Sequence, residues 1–224
     1  NHIVGQTNYG TGKVGHIYRP KMIDSAGTEV WGDLHIENGI LSVTIDQKFL
    51  DTAVYPVVVD PTFGYDTVGG TTAEFSENMF GTKFTGVAGT GSSMSAYAYK
   101  SGANSALFKM GLYNSSDGLV TNGTTNEGTI TTTAAWITLS FAISPTTAAT
   151  TMRLAANSNA QSPPTGNPRV FWYYDAGTTA QSHYGAATYP TIPSTFPATT
   201  AQDNKYSIYA TYTASEGGTA VPNN

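Results

Sequence analysis

The sequence predicts an all-β protein, a jelly-roll-like β-sandwich preceded by a small unit of β-hairpin and strand. Three observations predict this fold. About eight short segments alternate apolar and polar residues, clusters of Gly, Asn, Ser and Thr separate them, and no convincing helical period with caps appears. The chain has 24 Gly and 11 Pro, and 11% of its residues are charged. This composition is typical of many strands joined by turns.

The composition also excludes several kinds of protein. Without Cys, the 224-residue chain has no disulfide framework, zinc ribbon or iron–sulfur cluster. Its 10 Lys and Arg and its net charge of −5 predict no surface for nucleic acid. Its longest apolar runs are far too short to cross a bilayer, so we expect no membrane insertion. We expect no cofactor other than, at most, structural calcium.

Residues 1–62 are predicted to form a small β unit, and its clearest signal is the pair Asn38-Gly39. A type I′ turn needs positive φ at both central residues, which Asn and Gly tolerate. Pairing outward from this turn puts apolar residues on one face and polar residues on the other, so a one-residue slip would destroy the pattern. The predicted opposed pairs are Ile36 with Leu41, Leu34 with Val43, His35 with Ser42, and Asp33 with Thr44.

The end of this unit is marked by the strand-like run Val57-Val58-Val59 and by Asp60-Pro61, which stops it. Three consecutive Val predict a strand buried on both sides. A unit of this size has too little core for comfortable independent stability, so we expect it to pack on the rest of the chain or on another chain. The residues predicted to contact another subunit are Tyr9, Val14, Ile17, Val57 and Val59.

Residues 63–215 are predicted to form the jelly-roll β-sandwich, and residues 216–224 a flexible tail or linker. In the segment that begins at Trp136, Ile137 and Leu139 share one face while Trp136 and Thr138 share the other. The predicted strands are Met79–Thr85, Ser93–Lys100, Ala106–Tyr113, Gly128–Thr132, Trp136–Ile143, Thr151–Ala156, Val170–Tyr174 and Tyr206–Thr213.

Several segments of both units resemble parts of large secreted and phage-associated microbial surface proteins. Those of the first unit are Ile17-Tyr18-Arg19-Pro20, Trp31-Gly32-Asp33-Leu34, Phe49-Leu50 and Ala53-Val54-Tyr55-Pro56-Val57-Val58-Val59-Asp60-Pro61-Thr62. They look like a lead-in segment that precedes lectin-like or repeat modules. Those of the second unit are similar to jelly-roll modules: Gly81-Thr82-Lys83-Phe84, Lys109-Met110-Gly111-Leu112-Tyr113, Trp136-Ile137-Thr138-Leu139-Ser140-Phe141 and Ser207-Ile208-Tyr209-Ala210-Thr211-Tyr212.

The resemblance spans most of residues 17–213. It implies a jelly-roll architecture and a place outside the cell, or on a cell or virion surface. It also implies a part in adhesins, surface polymers or virion appendages, many of whose relatives bind carbohydrate. It carries no catalytic residues onto this chain.

The densest aromatic run is Val170-Phe171-Trp172-Tyr173-Tyr174. On a strand, Phe171 and Tyr173 point to one side while Trp172 and Tyr174 point to the other. One set is expected to fill the core and the other to lie on an open face that binds a glycan or a protein, although both sets can also be buried beneath loops. The residues predicted to form the platform are Trp172, Tyr174, Tyr184 and Tyr189.

Other chemistry has weak support in the sequence. No G-x-S-x-G motif is present. Glu74 and Glu77 are near each other in sequence, as are Asp46 and Asp51, but no argument places either pair across a cleft as a glycosidase needs. The four His form no H-x-x-x-H pair. The loop carboxylates that are candidates for calcium are Asp66, Asp117, Asp175 and Asp203.

These observations favour a non-catalytic extracellular structural protein that assembles into a homo-oligomer or polymer through β-strand contacts between subunits. The alternative is a carbohydrate-binding module with an aromatic platform, and glycans are then its partner. A polysaccharide hydrolase is the third and weakest hypothesis, kept because β-sandwiches can host hydrolases.

Overall fold

The computed structural model of the protein describes residues 3–4, 7–8, 20–24, 26, 28–55, 57–59, 62–160 and 168–214. Within these residues it has 22 strands and one short helix, so the prediction of an all-β protein is confirmed. The chain divides into two compact units, Asn1–Asp60 and Pro61–Asn224. The sequence analysis placed the end of the first unit at residue 62.

The described residues of the first unit form three small antiparallel sheets and a short helix. Strand β3 pairs with β4 and β7, while β5 pairs with β6 as a separate hairpin. Strands β1 and β2 pair with each other. The elements are β1 (Ile3–Val4), β2 (Thr7–Asn8), β3 (Lys21–Ile23), β4 (Glu29–Trp31), β5 (Asp33–Glu37), β6 (Ile40–Thr44), α1 (Gln47–Thr52) and β7 (Val58–Val59).

The β5–β6 hairpin has the predicted register. Ile36 lies opposite Leu41, and His35 lies opposite Ser42. Asn38 and Gly39 at the turn have φ of 51° and 77°, as a type I′ turn requires. The hairpin prediction is therefore confirmed in both turn and pairing.

Helix α1 was not expected from the sequence. It begins after Asp46, whose carboxylate accepts a hydrogen bond of 3.0 Å from the Lys48 N–H and so caps the helix. Six residues are too few to show a clear helical period, and Phe49 is the residue that this helix buries. Among the described residues, no helix has the length and apolar character needed to span a membrane. Strand β7 covers Val58–Val59 and is one residue shorter than the predicted strand Val57–Val59.

The second unit consists of an eight-stranded and a seven-stranded antiparallel sheet. In the eight-stranded sheet, β11 is central and pairs with β15, β16, β18 and β22. In the seven-stranded sheet, β17 lies between β10 and β12. The strands are β8 (Thr62–Gly64), β9 (Thr71–Glu74), β10 (Asn78–Thr85), β11 (Gly89–Ser101), β12 (Ala106–Tyr113), β13 (Leu119–Thr124), β14 (Gly128–Ile130), β15 (Ala135–Ser140), β16 (Thr146–Thr147), β17 (Thr151–Ser158), β18 (Arg169–Ala176), β19 (Ser182–Ala186), β20 (Thr200–Gln202), β21 (Asn204–Tyr206) and β22 (Ile208–Ala214).

The core lies between these two sheets, so the second unit is an all-β sandwich. Alternate residues point inward, as Met94 and Ala96 do from the eight-stranded sheet and Leu112 and Leu154 do from the seven-stranded sheet. Trp172 is the largest fully buried side chain and packs against the Phe75 ring at 5.3 Å between centroids. Burial of this apolar surface is the main force that holds the sheets together.

The outer side of the seven-stranded sheet is covered by residues 187–199, here called the strap. Phe196 of the strap packs in a second buried cluster with Met79, Tyr113 and Ala155 from the sheet. Backbone hydrogen bonds fix it: the N–H of Leu119 donates to the Ser194 carbonyl at 2.8 Å, and the N–H of Phe196 donates to the Asp117 carbonyl at 2.8 Å. One outer side of the sandwich is thus buried by the chain's own loop.

Candidate functional site

The outer side of the eight-stranded sheet carries a group of six aromatic side chains, here called the aromatic face. Strand alternation creates it, because Met94, Ala96 and Ala98 of β11 point into the core and leave Tyr97 and Tyr99 on the outside. The neighbouring strands add rings at the same level. The six residues, all partly exposed, are Tyr97, Tyr99, Trp136, Phe171, Tyr173 and Tyr209.

The six rings form a continuous series. Each ring lies within 6.0 Å of the next, centroid to centroid, in the order Tyr209, Trp136, Tyr97, Tyr173, Tyr99, Phe171. Tyr97 is central, with its ring edge-to-face against Trp136 at 5.4 Å and against Tyr173 at 5.0 Å. Such pairs each contribute about 1 kcal/mol beyond their buried area, so the rings hold one another in place.

Trp136 and Tyr209 reach toward each other over β11. Their strands lie on opposite sides of β11, where Ser95 pairs with Thr138 of β15 and with Tyr209 of β22. Strands two apart in a sheet are separated by about 9.6 Å, but the two ring centroids are 5.0 Å apart. Both side chains therefore lean across the sheet, and Ser95 between them is 1% exposed.

Hydroxyl groups adjoin the rings on the same side of the sheet. The hydroxyl oxygens of Ser95 and Thr138 lie 2.8 Å apart and share a hydrogen bond. Two successive cross-strand levels contribute hydroxyl-bearing residues, namely Ser93, Ser95, Thr138, Ser140 and Thr211. The aromatic face is thus bordered by a neutral polar band.

Charged groups lie at the two ends of β18 and are already paired. At one end, Arg169 binds both carboxylate oxygens of Glu74, and its guanidinium carbon lies 5.1 Å from the Phe171 ring centroid. This hydrogen-bonded pair holds the pKa of the Glu74 carboxyl below its ordinary value. At the other end, Asp175 accepts hydrogen bonds from the Gly70 N–H at 2.8 Å and the Tyr65 hydroxyl at 2.6 Å. The Gly70 N–H bond and then the Tyr65 bond lower the pKa of Asp175.

The platform predicted from the sequence lies elsewhere. Trp172 is 2% exposed and its indole N–H donates to the Ser207 carbonyl at 3.1 Å, so it is a core residue. The prediction that Trp172 lies on an open face is wrong. The alternation itself is as expected, but Phe171 and Tyr173 are the outward set, since the other side of β18 faces the second sheet.

The other predicted platform residues do not join one surface. Tyr174 packs against Tyr206 and Tyr184 stacks on Phe80, both at the core. Tyr189 lies in a pocket of about 340 Å³ in the second unit, and its hydroxyl donates to the Glu127 carboxylate. The structure does not bring these three residues together as an exposed platform.

The four predicted calcium ligands have separate surroundings. Asp117 forms an ion pair with Arg153. Asp175 accepts a hydrogen bond from the Tyr65 hydroxyl, and Asp203 accepts one of 2.8 Å from the Ala180 N–H. Asp66 is exposed. Among the described residues, no group of three His, Asp or Glu side chains is placed to hold a metal ion. Structural calcium stays a prediction.

A cluster of charged and polar groups lies beneath the strap, around Arg153. This side chain is fully buried, donates to Asp117 and to the Gly81 carbonyl, and lies 4.3 Å from the Phe196 ring centroid. His183 lies beside it, and burial followed by the charge of Arg153 lowers the pKa of the imidazole. We interpret the cluster as the attachment of the strap, because Arg153 packs on Phe196 and the carbonyl of its partner Asp117 accepts a hydrogen bond from the Phe196 N–H.

The carboxylates considered for hydrolysis also have structural partners. Glu74 is held by Arg169, while Asp46 caps α1 and Asp51 accepts a hydrogen bond from Gln47 at 2.8 Å. Glu77 lines the pocket that contains Tyr189. Three of these four carboxylates are thus engaged in structural contacts.

Of the predicted contacts between subunits, Tyr9, Val14 and Ile17 lie outside the described residues, and nothing is described of the Val59 side chain. Val57 is half-buried. The β5–β6 hairpin instead has an apolar side that is largely exposed, here called the hairpin face. It consists of Leu34, Ile36, Leu41 and Val43. Ile36 is 70%, Leu41 47% and Val43 42% exposed.

Sequence reasoning missed most of the aromatic face, although a signal was present. Alternation alone places Tyr97 and Tyr99 on the other face of their strand from Met94 and Ala96. It likewise places Tyr209 on the other face of its strand from Ile208. What the sequence did not show is that β11, β15, β18 and β22 are neighbours. That long-range pairing brings the six rings together.

No protein-family model, curated protein or solved structure matches the chain. Two surfaces of the protein are candidates for a functional role. The hairpin face belongs to the first unit and the aromatic face to the second.

Proposed function

We propose that the protein is a non-catalytic, extracellular structural protein whose copies assemble through the strands of the first unit. A surface filament, an adhesin and a virion appendage are all assemblies of this kind. The observation that carries the proposal is the exposure of the hairpin face. Three large apolar side chains, Ile36, Leu41 and Val43, lie on one side of a hairpin that has no other strand beside it in the described structure.

The described part of the first unit has little apolar core of its own. Among its described hydrophobic side chains, Met22 and Phe49 are buried. Burial of one large apolar side chain contributes about 2 kcal/mol, so covering the hairpin face would stabilise the unit substantially. Trp31, Val54 and Tyr55 add further exposed apolar surface. Among the described residues of this unit, more large apolar side chains are exposed than buried, which suits the unit to being covered by a neighbour.

The hairpin also offers backbone hydrogen-bonding groups. In the described structure, β5 and β6 form a two-stranded sheet with no third strand. An isolated two-stranded sheet is only marginally stable, and a strand from another copy would satisfy such an edge. Edge pairing would give affinity, while the side chains of the hairpin face would fix the register.

The test is the association state of the full chain, measured by sedimentation over a wide concentration range and by electron microscopy. We expect wild-type protein to form oligomers or polymers. The double variant Ile36→Lys/Leu41→Lys should stay monomeric, because it places two charges on the hairpin face at a directly opposed pair.

The matched control is His35→Lys/Ser42→Lys, which places the same charges at the adjacent opposed pair on the polar side of the same strands. It should assemble like wild type. A wild-type chain that is monomeric at every concentration, or equal assembly by both double variants, would overturn the proposal.

A further inference from the structure

The two outer sides of the sandwich differ in a way that the fold does not require. The strap buries the outer side of the seven-stranded sheet around Phe196, which is 3% exposed. The aromatic face, on the other sheet, keeps all six of its rings partly open to solvent. An open surface with this many rings is unusual for an unliganded sheet, where outward positions are normally polar.

We propose that the aromatic face binds a neutral polysaccharide chain. This inference is independent of the proposed assembly, since the hairpin face belongs to the other unit. A sugar ring presents an apolar C–H surface that packs on an aromatic ring, and its hydroxyls need donors and acceptors at the rim. The aromatic face supplies both kinds of group within one surface.

The rings supply the apolar part of this surface. Trp136 and Tyr209 lean across β11 with their centroids 5.0 Å apart, and Tyr97 continues the surface from Trp136 at 5.4 Å. The contacts extend through Tyr173 to the stacked pair Tyr99 and Phe171 at 4.9 Å. A continuous series of rings suits a polymer of several sugar units better than a single small molecule.

The polar atoms of the same residues supply the hydrogen bonds. Among the described residues, none accepts a hydrogen bond from the hydroxyls of Tyr99, Tyr173 and Tyr209 or from the indole N–H of Trp136. Ser95 and Thr138 use one hydroxyl hydrogen between them, which leaves the other available. Polar atoms set between rings in this way suit a hydroxylated ligand better than the purely apolar surface of another protein.

The charge of the surface selects a neutral polymer. The side chains between the ends of β18 are uncharged, and Arg169 at one end is neutralised by Glu74. A nucleic acid would need cations along the surface to bind its phosphates. An anionic polysaccharide would need them for its carboxylates or sulfates. A neutral glycan complements an uncharged surface.

The test is affinity electrophoresis of the full chain in native gels that contain hydroxyethyl cellulose, mannan, xylan or glycol chitin, with alginate as the anionic comparison. We expect retardation by at least one neutral polymer, little retardation by alginate, and no loss of binding in 1 M NaCl. The double variant Trp136→Ala/Tyr209→Ala should weaken binding at least about tenfold, because it removes both rings that lean across β11.

A milder variant separates binding from folding. Tyr173→Phe/Tyr209→Phe keeps every ring and removes two hydroxyls, so it should fold normally and weaken binding about fivefold. The matched control is Tyr55→Ala, which removes an exposed ring from the first unit and should leave binding unchanged. All variants are compared with wild type by circular dichroism and thermal unfolding.

Three outcomes would overturn the inference. The first is that none of the neutral polymers retards the wild-type chain. The second is that the ring and hydroxyl variants bind as wild type does. The third is that the ring variant loses self-association instead of glycan binding, which would make the aromatic face a contact between copies.

Discussion

Arg153 and Asp117 form a bidentate ion pair on the outer side of the seven-stranded sheet. The Nε–Oδ1 distance is 2.9 Å and the Nη2–Oδ2 distance is 3.2 Å. Arg153 has no exposed surface, whereas the Asp117 side chain is 20% exposed. The strap closes over the pair through Phe196. A buried guanidinium is costly unless it is fully paired, so this pair links the order of the strap to the stability of the sheet.

Removal of the Asp117 carboxylate should destabilise the second unit. In Asp117→Ala, Arg153 stays buried but loses both charged hydrogen bonds, and breaking such a pair costs about 3 kcal/mol. Urea unfolding followed by tryptophan fluorescence measures the loss. The control Asp66→Ala removes an exposed carboxylate and should change the free energy of unfolding by less than about 0.5 kcal/mol. Equal effects of the two substitutions would contradict this account of Asp117.

The same pair predicts a dependence of stability on acid pH. Burial alone would raise the pKa of Asp117, but the hydrogen bonds and charges of Arg153 and Lys83 bring it below its ordinary value. The unfolded chain then binds a proton more readily than the folded one, so this stabilisation is present above about pH 4 and is lost as the pH falls further. Between pH 5 and pH 2, the free energy of unfolding should fall more steeply in wild type than in Asp117→Asn, measured by urea titration. Parallel curves would show that Asp117 does not contribute.

Substitution of Gly185 in β19 should show how closely the strap packs on the sheet. A Cβ on Gly185 would lie 1.8 Å from the Pro197 carbonyl oxygen, a backbone atom that cannot rotate away. Gly185→Ala should therefore destabilise the chain by about 2 kcal/mol and increase amide hydrogen exchange across residues 187–199. The control is Gly70→Ala, whose Cβ would meet nothing nearer than an Asp175 oxygen at 3.6 Å. If strap exchange is unchanged in Gly185→Ala, the strap is not held as described.

The parts of this fold that were predictable from sequence are the parts set by local rules. The hairpin register followed from the turn at Asn38-Gly39 and from the two-residue period of the flanking strands. Strand β12 has the predicted bounds, Ala106–Tyr113, because it is a mostly apolar segment that Gly, Asn and Ser bound on both sides. Helix α1 was missed, since its six residues are held by the Asp46 cap and by burial of Phe49 instead of by a long apolar stripe.

The candidate site depended on contacts that local rules do not supply. The sequence showed that Phe171 and Trp172 point to opposite sides of β18, but either side could have faced the core. The choice is made by Phe75, Tyr206 and the second sheet, which enclose Trp172. The strap is another long-range feature, because Phe196 meets Tyr113 across more than eighty residues of chain. No local pattern near Phe196 in the sequence predicts that contact.

The two tryptophans of the second unit's eight-stranded sheet should differ sharply in their effect on stability. Trp172→Ala empties a core position and should cost about 4 kcal/mol. Trp136 is partly exposed on the aromatic face, so Trp136→Ala should cost about 2 kcal/mol, the loss of its two ring contacts, with Tyr97 and with Tyr209. Urea unfolding of both variants, followed by circular dichroism, gives the comparison. If Trp136→Ala were as damaging as Trp172→Ala, the aromatic face would be a second core that the sandwich needs for folding. A smaller loss of unfolding free energy in Trp136→Ala would mean instead that the rings of the aromatic face are available to bind a ligand.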